Sequence, residues 1–141
     1  MIYDNLKLTG KLSIAINDMI VQETDNLVVT AGKAYVASRM KDATATAMSH
    51  MAVGTGTVDP AVGDTTLGTE TARVALTSTT VTSTAVAYVA TFSAGTGTGA
   101  LTEAGILNAS SGGTMLCRTE FGVINKGASD SMTITWTVTV S

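Results

Sequence analysis

A net charge of −3 and a sequence pI near 4.9 over 141 residues fit one folded unit with one core and exclude the basic balance of a nucleic-acid binder. The eight Lys and Arg are scattered from Lys7 to Lys126, so no phosphate-tracking stripe forms. The one cysteine, Cys117, excludes an internal disulfide.

Charged residues make up 13% of the chain and hydrophobic ones 45%, where a freely soluble domain carries about a quarter charged. Two surfaces account for this: one lying against other protein, or one coated with Thr and Ser. Thr makes up roughly a fifth of the chain and fits a pleated, half-buried surface. The opening residues lack the basic-then-apolar pattern of a secretory signal, and no apolar run reaches transmembrane length. The expectation is a protein made or assembled in a reducing cytoplasm, with no membrane partner.

Residues 6–16 alternate, with Leu6, Leu8, Gly10, Leu12, Ile14 and Ile16 on one parity, which predicts a strand with one buried face. Asn17-Asp18 reads as a turn. Met19 to Val21 and Leu27 to Val29 are expected to pair as a hairpin across Gln22 to Asn26. Residues 31–41 are the one good helix candidate: Thr30 can cap it, Ala31, Ala34 and Ala37 favour it, and Arg39 and Lys41 suit its C-terminal dipole. Asp42 to Ser49 is small and polar with no clear period.

Gly54-Thr-Gly-Thr57 and Gly95-Thr-Gly-Thr-Gly99 read as loops. Neither continues into the Gly-Lys-Thr/Ser of a P-loop, so neither is expected to cradle phosphate. Strands are predicted at 71–77 and, as one long element covered on both sides, at 80–92. After Gly112-Gly113, Met115, Cys117, Thr119 and Phe121 share a parity. The clearest alternation is at 132–140, where Met132, Ile134, Trp136, Val138 and Val140 face one way and threonines the other. Seven or eight strands with turn chemistry between them predict an all-β fold, a jellyroll-like two-sheet sandwich with one short helix, over residues 1–141.

Chemistry-bearing constellations are thin. His50 has no second His, and zinc needs several ligands. A His50–Cys117 pair found by elimination makes a weak nucleophile–base candidate. Asp59, Asp64 and Glu70 do not follow the EF-hand spacing and read as carboxylates that solvate a loop. Glu70, Glu103 and Glu120 could supply a glycosidase pair, but a chain with one Trp, three Tyr and two Phe offers few sugar platforms. No catalytic site, cofactor or metal is expected. Met40, Met48 and Met51 surround the small-residue stretch after the helix. Methionine suits a core and also irregular contacts, which makes Met48, His50 and Met51 the candidate interface residues.

Two stretches resemble a phage pattern: Val53-Gly-Thr-Gly-Thr-Val-Asp-Pro-Ala-Val-Gly-Asp-Thr-Thr-Leu-Gly-Thr-Glu with Arg73, and Leu101-Thr-Glu-Ala-Gly-Ile-Leu-Asn-Ala with Gly113-Thr-Met-Leu-Cys-Arg-Thr and the Thr-Ile-Thr-Trp-Thr-Val ending. Over about residues 50–141 they are similar to small virion proteins of tailed phages, and among these to the cement (decoration) proteins of podophage heads. The resemblance implies a jellyroll on the outer capsid surface, made in the host cytoplasm, that contacts the major capsid protein and a second copy of itself as a dimer. The same pattern occurs in tail-fibre-like proteins, so a tail-fibre or tail-tip receptor-binding subunit is the alternative. A small glycan-acting enzyme is a third reading, disfavoured by the missing site.

Overall fold

The computed structural model describes residues 6–41 and 45–141. The chain's opening residues 1–5 and residues 42–44 of the stretch after the helix lie outside the described residues. The described chain is mostly strand, in two antiparallel five-stranded sheets with one short helix, consistent with the all-β two-sheet sandwich expected from the sequence.

One sheet runs β2-β1-β10-β7-β6. It contains β1 (Leu8–Ile16), β2 (Met19–Asp25), β6 (Ser78–Thr82), β7 (Ala85–Phe92) and β10 (Met132–Val140). β1 and β10 pair without a break from Leu8 opposite Val140 to Ile16 opposite Met132. That register puts Leu12, Ile14, Ile134 and Trp136 on the inner face, where each is at most 1% exposed. The other sheet runs β3-β9-β8-β4-β5. It contains β3 (Leu27–Val28), β4 (His50–Gly54), β5 (Glu70–Ala75), β8 (Gly99–Leu107) and β9 (Met115–Lys126). Met51, Val53, Ala104, Ile106, Cys117 and Phe121 meet the first sheet's inner residues in one apolar cluster.

The expected hairpin between residues 19–21 and 27–29 does not form. Met19–Asp25 is one strand that pairs with β1, and Leu27–Val28 pairs with β9 in the opposite sheet. The chain changes sheets at Asn26, whose N–H donates to the Gly10 carbonyl at 3.0 Å and whose Oδ1 accepts from Trp136 Nε1 at 2.6 Å. Gly10 is needed there, because a Cβ would collide with the Asn26 side chain.

The single strand expected at 80–92 is two, β6 and β7, joined at Ser83-Thr84. Ser83 makes this turn at a positive φ of 54°, without the Gly or Asn that usually marks it. β7 is interior to its sheet but not covered on both faces. Its inner residues Tyr88, Ala90 and Phe92 are buried, while Ala85, Ala87 and Val89 are half-buried and Thr91 is exposed.

Strand β8 is buried on both faces from Leu101 to Leu107. On its outer side Leu107 packs with Val29, Ala52, Leu67 and Met115 in a second apolar cluster. The loop at 55–69 lies over this side, and helix α1 (Thr30–Lys41) packs Ala31 against this cluster and Tyr35 and Val36 against the first. Gly32 sits against the Leu116 carbonyl, where a Cβ has no room. Thr30 falls inside the first turn, and its N–H donates to the Val62 carbonyl at 2.7 Å.

Candidate functional site

The strongest polar arrangement in the described residues lies under the 55–69 loop. Glu103, in the middle of β8, is 0% exposed. Its Oε2 accepts from the Gly56 N–H at 2.6 Å and the Thr69 N–H at 2.7 Å. Its Oε1 accepts from the Gly68 N–H at 2.7 Å and Arg118 Nη2 at 3.0 Å. A carboxylate has about four lone-pair sites, and all are taken. Arg118, on β9 and 2% exposed, also donates from Nη1 to Asp64 Oδ2 at 2.7 Å and from Nη2 to the Val58 carbonyl at 2.9 Å. Thr102 Oγ1 donates to the Gly56 carbonyl at 2.6 Å.

Two charged side chains thus tie both ends and the middle of one loop to the sheet. The glycines make the approach possible: a Cβ on Gly54 or Gly56 would run into the Thr69 carbonyl or the Glu103 carboxylate. The two ends of the 55–69 loop do cradle an anion with backbone N–H groups, Gly56 from the Gly-Thr-Gly-Thr stretch and Gly68 and Thr69 from the other end, but the anion is the chain's own. Asp64, expected merely to solvate the loop, is an anchor instead.

The electrostatics follow from these contacts. Burial pushes the Glu103 carboxyl up, but the N–H groups of Thr69, Gly68 and Gly56 and the Arg118 guanidinium together outweigh it and hold it below its ordinary value. The Ala61 N–H holds Asp64 down, against burial and with help from Arg118. Burial raises the Glu120 carboxyl, and neighbouring Asp59 adds to the rise. A saturated, firmly ionised Glu103 has neither a proton to give nor a lone pair to offer, so it is unsuited to the glycosidase role. Glu70 is engaged with Arg73 at 2.7 Å.

The loop carries two exposed valines, Val58 at 70% and Val62 at 55%. Their own carbonyls point inward to Arg118 and to the helix. Met19, Ile20 and Val21 form another exposed apolar group, on β2. Of the three residues expected at an interface, Met48 and Met51 belong to the core cluster. β4 is interior to its sheet, and its inner parity points Met51 away from solvent. His50 is half-buried, with Nδ1 2.8 Å from Ser49 Oγ. His50 and Cys117 are not hydrogen-bonded; Cys117 is fully buried and burial raises its thiol well above the ordinary value. Among the described residues no cluster of three or more His, Cys, Asp or Glu could hold a metal. No helix of the described residues is long and apolar enough to cross a membrane.

Glu103, Arg118 and Asp64 escaped sequence reasoning as a unit because they lie 15 to 54 positions apart. The available signal was a charge set inside an otherwise apolar run, in Ala-Leu-Thr-Glu-Ala-Gly-Ile-Leu and Met-Leu-Cys-Arg-Thr. Comparison with protein-family models, curated proteins and solved structures finds no match.

Proposed function

We propose that the protein is a structural virion component of a tailed phage that binds the major capsid protein lattice from outside and stabilises it. The observation that supports this most is the clamped loop: Val58 and Val62 stand exposed on a backbone fixed from beneath by Glu103 and Arg118. A surface ordered before it meets its partner loses little conformational entropy on binding. Apolar display on a sparsely charged chain suits contact with protein, and a ligand that binds only the assembled shell stabilises that shell by mass action.

The test uses particles prepared without the protein, to which it is added back. Wild type is expected to bind heads but not free capsid subunits, and to raise the temperature at which heads lose DNA. Val58→Asp/Val62→Asp alters solvent-facing residues, so it should fold and fail to bind. Depleted heads as heat-resistant as complete ones would overturn the reading. So would finding the protein at the tail alone, which would move it to the tail-fibre class. If Met19→Asp/Ile20→Asp abolished binding and the valine variant did not, the contact would lie on β2.

A further inference from the structure

We infer that Asp59 and Glu120 form a proton-operated latch, in which one shared proton fastens the 58–60 shoulder of the 55–69 loop to β9 and its loss lets the shoulder lift. The inference deepens the proposed contact, because the exposed Val58 stands on that shoulder. It concerns the loop alone, so it stands or falls apart from the capsid reading.

Sheet register puts Glu120 under the loop. Glu120 on β9 pairs directly with Glu103 on β8, and directly paired residues point to the same side of a sheet. Arg118, two residues back along β9, lies on that side too. Its Nη2 donates to the Val58 carbonyl at 2.9 Å, which draws the loop down onto the strand. The next residue, Asp59, brings its carboxyl within hydrogen-bond reach of the Glu120 carboxyl.

The two paired glutamates differ in what reaches them. Glu103 receives three N–H groups and a guanidinium. Glu120 Oε2 is shut off from solvent and accepts no hydrogen bond. Arg118 does not supply one: its Nη1 is committed to Asp64, and its Nη2 to Glu103 and Val58. An ionised carboxylate can only accept, so two facing carboxylates have no donor between them and repel. One proton supplies the donor and removes a charge, and it belongs to the pair, not to either residue. The charged groups that act on Glu120 are Asp59 from the loop and Glu103 from β8, which disfavour its ionisation, and Arg118, which favours it. Asp64 stands behind Arg118. The other elements packed on β9 carry Lys33, Arg39 and Lys41 on α1 and Glu23 and Asp25 on β2.

The latch has a direction in pH. Burial and the facing Asp59 raise the Glu120 carboxyl above its ordinary value, so the latch closes as pH falls from neutrality and opens as pH rises through that raised value. Glu103 is held below its ordinary value, so its clamp is still whole where the latch closes. Both fastenings therefore hold together in mildly acid solution, a window bounded above by the latch and below by the clamp. Asp59 precedes Pro60, which confines its backbone to extended conformations, and its side chain is short. The carboxyls therefore part by movement of the 58–60 backbone.

The test is a pH titration of the full chain by NMR, from pH 8 down to the ordinary carboxylate range of roughly pH 4. The Glu120 carboxyl carbon is expected to titrate above that range, and the Val58 carbonyl carbon to shift with the same midpoint. The amides of Gly56, Gly68 and Thr69, held by the separate clamp, should not move in that step. Glu120→Gln carries an amide that donates to Asp59 at every pH, so it should hold Val58 at its acid-limit shift throughout. Asp59→Asn removes the facing charge and supplies a donor, so it should lower the Glu120 midpoint. Any of four results would overturn the inference: Glu120 titrating within or below the ordinary range, Val58 not following Glu120, a Val58 step that survives Glu120→Gln, or a Glu120 midpoint unchanged in Asp59→Asn. Movement of the three clamp amides in step with Glu120 would assign the transition to the clamp and overturn it as well. No capsid enters any arm, so failure of the capsid reading and failure of the latch are read separately.

Discussion

Replacing Glu103 by Gln tests the clamp with one atom changed. Gln keeps the shape and removes the charge, but it cannot be placed well. Oε1 receives Gly68 N–H and Arg118 Nη2, and Oε2 receives Gly56 N–H and Thr69 N–H. Whichever way the amide is turned, its NH₂ faces two donors and leaves both without an acceptor. Each buried donor left unpaired costs about 1–3 kcal/mol, and removing one charge of a buried pair costs about 3–5 kcal/mol in all. Asp64 still pairs with Arg118, so we expect a loss near the lower end, about 3 kcal/mol, in urea unfolding at pH 7. Hydrogen exchange should quicken at the amides of Gly56, Gly68 and Thr69. Glu70→Gln is the comparison: its pair with Arg73 lies near the surface, with the Glu70 side chain 33% exposed, and should contribute less than about 1 kcal/mol. A Glu103→Gln loss below about 1 kcal/mol, no larger than that of Glu70→Gln, would refute the reasoning that these contacts anchor the loop.

The same clamp sets an acid limit. Glu103 and Asp64 titrate below their ordinary values in the folded chain, so their stabilisation is full above the unfolded carboxylate range of roughly pH 4 and is lost as pH falls through the folded values. Glu120 is raised and works in the opposite sense, favouring the fold as it protonates. Wild type should therefore lose more stability between pH 7 and pH 3 than Glu103→Gln does, read from urea midpoints; an equal loss would exclude Glu103 as a source. Trp136→Ala should cost about 3–5 kcal/mol, since the side chain is 0% exposed and donates to Asn26, whereas a change below about 1 kcal/mol would mean that this face is not the core. Cys117 should resist a thiol reagent in the native chain, being fully buried with its thiol pushed up, and Cys117→Ser should leave the proposed head binding intact; rapid native labelling would contradict this.

What was legible in the sequence depended on how many faces each strand covers. β10 alternates because threonines fill its outer side and apolar residues its inner side. β8, buried without a break from Leu101 to Leu107, carries no such alternation. Both its faces are covered, so Leu101-Thr-Glu-Ala-Gly-Ile-Leu shows no period of two. The β6–β7 turn was hidden because Ser83-Thr84 resembles the strand residues beside it. Met48 and Met51 illustrate a different limit: methionine is at home in a core and at an interface, and only the fold decides between them, with Met51 on the interior strand β4 and Met48 buried just before it. The clamp was illegible because its parts come from β8, β9 and a loop, brought together by sheet register that no local pattern encodes.

The unbroken pairing of β1 with β10 also carries a kinetic consequence. Residues 8–16 leave the ribosome well before residues 132–140, so their apolar face stays without its neighbour until that later strand has been synthesised. The central pair of that sheet closes a loop of more than a hundred residues, the kind of distant contact that slows folding and leaves apolar strands open to misassociation meanwhile. A nascent chain stalled before residue 132 should therefore be sensitive to protease throughout β1, and release of the remaining strand should protect the two together.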